Sequence, residues 1–209
     1  MKRCIFIVVL ALLSTVPLFA QAPKGWMLRI DRSMSAEDPD AAGSIKFMAM
    51  GSGFHAVNPQ AAVYWNPANT VTGNYTLKGT FTLIKTTGYN EYYGLVFAGS
   101  GLEGPGQNYL YFMVSDDGTW LVKRRNGTST QNVSEKSTNA AVKKPDASGK
   151  CTNALEVRVM GDKIEFAVNG TVVNTMPKTG PAAKTDGIYG LRVNHLLEVQ
   201  VDGFALSKQ

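Results

Sequence analysis

The chain predicts an all-β fold, a sandwich or a barrel, and three observations carry that expectation. Apolar and polar side chains alternate with period two over one segment after another, as they do where a strand lays one face on a core. Turn dipeptides such as Asp117-Gly118, Gly161-Asp162 and Asn169-Gly170 recur between those segments, and both residues of such pairs tolerate the positive φ that tight hairpins need. Helical periodicity is scarce once the N-terminal apolar run is passed. With 209 residues, 44% of them hydrophobic, the chain has enough material for one domain with a sizeable core.

Taken in order, Lys2 and Arg3 precede an apolar run from Cys4 to Phe19, and the small residues of Ala20-Gln21-Ala22 follow. This is the charge, length and ending of a secretory signal peptide. Cleavage is expected after Ala20, leaving residues 21–209 as a single exported domain, periplasmic or extracellular, with no membrane attachment. The run is marginal as a permanent span, which needs about 20 apolar residues. Removal of the leader takes away two of the 21 basic residues and leaves 19 against 16 acidic ones, a net charge near +3. No basic run is interleaved with aromatics, so nucleic acid is not an expected partner. Cys4 leaves with the leader, Cys151 becomes the only thiol, and no intrachain disulfide can form.

Strands are expected over residues 26–30, 45–50, 54–57, 62–65, 75–85, 92–98, 108–115, 120–125, 155–160, 163–169, 171–176, 187–194 and 196–206. Gly, Pro, Asn and Asp lie between them, and two longer stretches, 32–44 and 127–152, read as irregular. Around Gly161-Asp162 a two-residue loop sets Leu155 against Val168, Val157 against Phe166 and Val159 against Ile164, all core positions, with Arg158 opposite Glu165 on a solvated face. That hairpin is scaffold. The segment Asn108–Asn126 differs, because neither of its faces is plainly polar. A bend at Asp117-Gly118 is expected to set Val114 against Leu121, Tyr111 against Arg124 and Ser115 against Trp120. Such a hairpin is either covered on both sides or lines an aromatic groove. Tyr92–Phe97 has the same two-sided character. Gly187–His195 places Arg192 and Asn194 on one face and Tyr189, Leu191 and Val193 on the other.

The spacing of YYGLVF, NYLYFMVSDDGTW, NALEVRVMGDKIEFAVNG and GIYGLRV with VDGF resembles the concanavalin A-like lectin/glucanase superfamily, and within it the bacterial domain family labelled 3-keto-disaccharide hydrolase. The resemblance covers about residues 75–206 and, more loosely, extends back to Trp26. It implies a jelly-roll sandwich of two antiparallel sheets, often with a carbohydrate site on the concave sheet or at rim loops. The alternating acid triplet of the superfamily's glucanases is missing. Glycoside hydrolysis normally uses two carboxyls roughly 5 to 10 Å apart, and the sequence pairs none of Glu91, Glu103, Asp116 or Asp186.

Other chemistries find little support. His55, His195 and Cys151 are too few for a zinc site of three or four nitrogen and sulfur ligands, so no metal and no cofactor is expected. His195 reads as a loop histidine with local hydrogen bonds. Gly99-Ser100-Gly101 lacks the frame of a serine nucleophile, Asp116-Asp117-Gly118 lacks the further oxygens of a calcium loop, and the Gly-rich loop AGSGLEGPGQN lacks a phosphate-binding frame, though it could form a ligand rim. Asn74, Asn126, Asn132 and Asn169 begin N-x-Ser/Thr triplets that matter only in a eukaryotic secretory route. Aromatics and polar groups remain. Sugar C–H patches stack on Tyr or Trp and their hydroxyls suit Arg and Asn, so a groove holding Tyr111, Trp120, Arg124, Arg192 and Asn194 is the expected ligand site, with Tyr64 and Trp65 as an alternative rim. The expected function is a non-catalytic exported domain that binds a glycan or a small-molecule ligand. A glycoside hydrolase acting on (3-keto-)disaccharides and an extracellular protein-interaction domain are the alternatives.

Overall fold

The computed structural model describes residues 23–32, 40–85 and 88–209; the expected leader lies outside them. Among the described residues fourteen strands form: β1 (Met27–Ile30), β2 (Lys46–Met50), β3 (Gly53–Asn58), β4 (Ala62–Val71), β5 (Tyr75–Lys85), β6 (Tyr92–Ser100), β7 (Asn108–Ser115), β8 (Thr119–Asn126), β9 (Ser129–Thr138), β10 (Cys151–Met160), β11 (Lys163–Val168), β12 (Thr171–Pro177), β13 (Gly187–Val193) and β14 (Leu197–Lys208). They make two seven-stranded antiparallel sheets. The first runs β1-β4-β13-β6-β7-β8-β9 and the second β12-β11-β10-β5-β14-β3-β2. This is the jelly-roll sandwich that the resemblance implies, within the all-β class that the alternation predicts, and its only helix among the described residues is the 3-10 turn Gly180–Ala182.

The core lies between the inner faces. Tyr75, Leu77, Phe81 and Leu83 of β5 and Leu155, Val157 and Val159 of β10 meet Tyr93, Leu95, Phe97 and Phe112 of the opposite sheet. Phe112 and Phe166 close on each other at 5.1 Å between ring centroids, and Phe81 and Tyr93 at 5.9 Å. Each such side chain contributes about 1.5–3 kcal/mol on burial. The hairpin of β10 and β11 has the expected register, Leu155 with Val168 through Val159 with Ile164. Arg158 bonds Glu156 at 2.5 Å and reaches Glu165 at 3.5 Å on the outer face.

Two expectations need correction. The hairpin of β7 and β8 pairs Val114 with Trp120, Met113 with Leu121 and Tyr111 with Lys123, one residue away from the expected register. The loop holds three residues, Asp116-Asp117-Gly118, and Gly118 adopts φ +85°, the left-handed position that ends a three-residue hairpin loop. Asp117 fixes the loop by accepting from the Thr119 amide at 3.0 Å. A one-residue slip exchanges the faces of a strand relative to its partner, so Lys123 rather than Arg124 shares a face with Tyr111. The second correction is β9, which falls within the stretch expected to be irregular. It is an edge strand that is polar but for Val133, exposed or half-buried throughout, and an edge facing water shows no apolar alternation to read.

The outer faces differ sharply. On the second sheet Lys78, Thr80, Thr82, Glu156, Arg158 and Glu165 are exposed or half-buried, as water permits. On the first sheet the outward side chains Val63, Trp65, Val96, Tyr109, Tyr111, Met113 and Leu121 are each 5% exposed or less and form a second apolar cluster with Tyr92 and Leu102. The two-sided character of the Asn108–Asn126 segment is thus that of a sheet covered on both sides.

Candidate functional site

The outer face of the first sheet is built from neighbouring strands in register. Trp65 of β4 stands beside Gly190 of β13, which pairs with Val96 of β6, which pairs with Tyr111 of β7. One step along, Val63, Arg192, Gly94 and Met113 form the adjacent row. Arg192 therefore rises between aromatics, with its guanidinium 5.4 Å from the centroid of the Tyr111 ring, a cation–π separation.

Asp31, just past β1, closes over this guanidinium. Its backbone amide donates to Ala61 O at 2.8 Å. Its carboxylate accepts from Arg192 Nη1, from Tyr109 OH at 3.1 Å and from Gln107 Nε2 at 3.2 Å. Arg125 and Arg29 approach the same carboxylate at 3.7 and 3.9 Å. The side chains of Asp31 and Arg192 are 4% and 9% exposed, so the pair is a buried one. Burial pushes the Asp31 carboxyl up, but the guanidiniums of Arg192 and Arg125 and the donated hydrogen bonds outweigh it and leave the carboxyl below its ordinary range. Burial also drives the Tyr109 and Tyr111 hydroxyls up. They are neutral at physiological pH.

The Gly-rich loop that follows β6 folds onto this face. Arg29 Nη1 donates to Gly104 O, Gln107 Nε2 reaches Gly127 O at 3.3 Å, and Leu102 is 2% exposed against the Trp65 cluster. Between the loop and the sheet lies a cavity of about 310 Å³, walled by Trp65, Pro67, Leu102 and Ile188, with Glu103 and the backbone of the loop glycines at its rim. It is at the small end of the roughly 300–1,000 Å³ range of small-molecule sites. An aromatic and aliphatic wall beside one carboxylate and several main-chain groups can hold a ligand with an apolar face and hydroxyl edges.

Of the residues expected to form a site, the structure brings Trp65, Tyr111 and Arg192 to this face and separates the rest. Trp120 points inward against Phe112, with centroids 6.4 Å apart. Tyr64 is fully buried, stacks on Phe47 at 4.3 Å and donates to Asn58 Oδ1 at 2.5 Å. Arg124 also points inward and emerges at the far mouth of the sandwich, where it lines a different cleft. Asn194 lies just beyond β13, its backbone amide bonded to Tyr92 O at 2.9 Å. The single expected groove does not form, because alternation places residues 120 and 124 on the face opposite residues 111 and 192.

Sequence reasoning missed Asp31, Gln107 and Tyr109. Only Tyr109 carried a signal, its even spacing from Tyr111. It also misjudged His195, whose partners are far apart in the chain: Nδ1 lies 3.1 Å from Asp40 Oδ1 and Nε2 2.9 Å from Glu91 Oε1. Two carboxylates converge there, but on a histidine whose side chain is 5% exposed.

No family model matches the chain, and no curated protein does. Solved structures do resemble it. The carbohydrate binding module CBM66 from Bacillus subtilis superposes with a TM-score of 0.64 over 88% of this chain and 96% of that one, at 11% identity. A protein of unknown function with a galectin-like fold, also from Bacillus subtilis, gives 0.60 at 16% identity over 88% and 90%. Alginate lyase A1-II' gives 0.54 at 14% identity over 88% and 95%. At such identities the likeness is one of fold, a jelly-roll sandwich of two antiparallel sheets.

Proposed function

We propose that the protein is an exported, non-catalytic β-sandwich that binds a carbohydrate in the cavity between Trp65 and the Gly-rich loop. The observation that carries this reading is the cavity itself, with an apolar wall of Trp65, Pro67 and Ile188 and Glu103 at its rim, an apolar surface beside a hydroxyl acceptor as a pyranose ring requires. The rigid platform beneath it supports the reading: Tyr111, Arg192, Tyr109 and Asp31 hold the sheet face in one arrangement, and preorganisation lowers the cost of binding. By name, CBM66 is a carbohydrate binding module, which agrees. Export rests on the Lys2-Arg3 start and the apolar run after it.

The test is a glycan array followed by titration calorimetry on the purified chain, with Glu103→Ala and Trp65→Phe as variants and their melting temperatures recorded. The expected result is retention of a neutral glycan by the wild type and loss of affinity in both variants, with Glu103→Ala melting like the wild type because Glu103 is exposed. An array on which the wild type retains nothing would remove the carbohydrate reading. Undiminished affinity in both variants would remove this cavity as the site.

A further inference from the structure

The inner face of the first sheet changes character along its strands. Leu110, Phe112, Trp120 and Val122 belong to the core, yet the next positions on that face are Arg124 and Asn126 on β8 and Asn108 on β7. The register of β8 with β9 adds Gln131 beside Arg124 and Ser129 beside Asn126. A run of polar side chains on an inward face is what sequence patterning avoids. Here it lines a cleft of about 610 Å³ at the mouth of the sandwich, whose other wall is the 3-10 turn with Gly180, Pro181 and the neighbouring Lys184.

Arg124 is the fixed point of this cleft. Its Nη1 donates to Pro181 O and its Nη2 to Asn108 Oδ1 at 2.7 Å. Both acceptors are neutral, and no carboxylate stands among the described residues that line the cleft. The half-buried guanidinium therefore keeps a full positive charge and N–H groups to spare out of its five, in an orientation already set, with Lys184 as a second cation at the rim. Amides and hydroxyls from Asn126, Ser129 and Gln131 complete the lining.

We infer that this cleft binds an oxyanion carried on a saccharide, a carboxylate or sulfate ester whose ring hydroxyls meet the surrounding amides. A guanidinium without a counter-ion recognises the oxyanion and the neutral polar lining recognises the sugar. The inference stands apart from the Trp65 cavity, because Arg124 points to the opposite face of the sheet from Tyr111, and either site can fail without the other.

The experiment titrates the purified full chain at low salt with trigalacturonate, its methyl ester, a sulfated hexosamine and inorganic sulfate. Trigalacturonate or the sulfated sugar is expected to bind at millimolar concentration or below, with the uncharged ester weaker by about tenfold or more, as loss of one charged hydrogen bond implies. Arg124→Met should abolish the difference between acid and ester. Because that variant also frees Pro181 and Asn108, Gln131→Glu is the second probe: on an exposed edge position it places a carboxylate beside Arg124, leaves the fold intact and should displace the anion by about tenfold or more. Equal binding of acid and ester, unchanged affinity in Gln131→Glu, binding of inorganic sulfate alone, or no binding of either anionic sugar at millimolar concentration would each overturn the inference.

Discussion

Replacing Asp31 by alanine tests the reading of the first sheet's outer face most directly. The substitution leaves the Arg192 guanidinium, 9% exposed, without its carboxylate, and Tyr109 and Gln107 without their acceptor. Breaking a buried pair by removing one partner costs about 3–5 kcal/mol. Arg29 and Arg125, which approach the same carboxylate, then repel Arg192, which places the expected loss at the upper end. A chain of this size shifts its melting temperature by roughly 2–4 °C per kcal/mol, so Asp31→Ala should melt about 10–20 °C below the wild type in a circular dichroism or calorimetric scan. Glu156→Ala, which breaks a partly solvated pair with Arg158, is the control and should cost no more than about 1 kcal/mol. The combination Asp31→Leu with Arg192→Met removes both charges at once and should be less damaging than Asp31→Ala alone by about 1 kcal/mol or more. A loss below about 1 kcal/mol for Asp31→Ala would show that water reaches the cluster, and the account of a rigid platform would fall with it.

Three further outcomes follow from the same geometry. Asp31 and Asp117 both have carboxyls held below the ordinary range: for each, burial works upward and is outweighed, by the guanidiniums beside Asp31 and by Thr119 and Lys136 beside Asp117. A depressed folded-state value contributes stability that is present above the unfolded value, near 3.8, and is lost as pH falls through the folded one. Stability to urea should therefore drop steeply below about pH 4, and Asp31→Asn should flatten that acid limb; a limb unchanged in the variant contradicts the assignment. Trp120→Ala, in the core against Phe112 and not in a groove, should cost about 3–5 kcal/mol with no specific effect on ligand affinity in protein that remains folded, checked by melting and calorimetry. The Cys151 thiol is 7% exposed, and burial pushes its pKa up, so a maleimide should label it only at the rate of unfolding; rapid labelling of the native protein would refute its burial.

Much of the scaffold was legible because it is local. The β10/β11 hairpin could be registered residue by residue, since its alternation runs unbroken to a two-residue loop and only one pairing buries all six apolar side chains. The β7/β8 hairpin could not, because both its faces are apolar and a slip of one residue leaves the pattern looking equally good. Gly118 decided between the registers through its positive φ. Strand β9 was hidden for a related reason, since its edge position asks nothing apolar of the sequence.

What the sequence by itself determined is the class of fold: period-two patterning and turn residues act between neighbours in the chain, and they suffice to make the strands and hairpins of an all-β sandwich or barrel. The site was a different matter. Asp31 meets Arg192 and Tyr109 across long stretches of chain, Glu91 and Asp40 meet at His195, and the Gly-rich loop meets Trp65. Such juxtapositions depend on the order in which strands are laid into each sheet, and strand order is set by the packing of the whole domain rather than by any segment of it. Only the tertiary structure could decide which aromatics face a cavity and which fill the core.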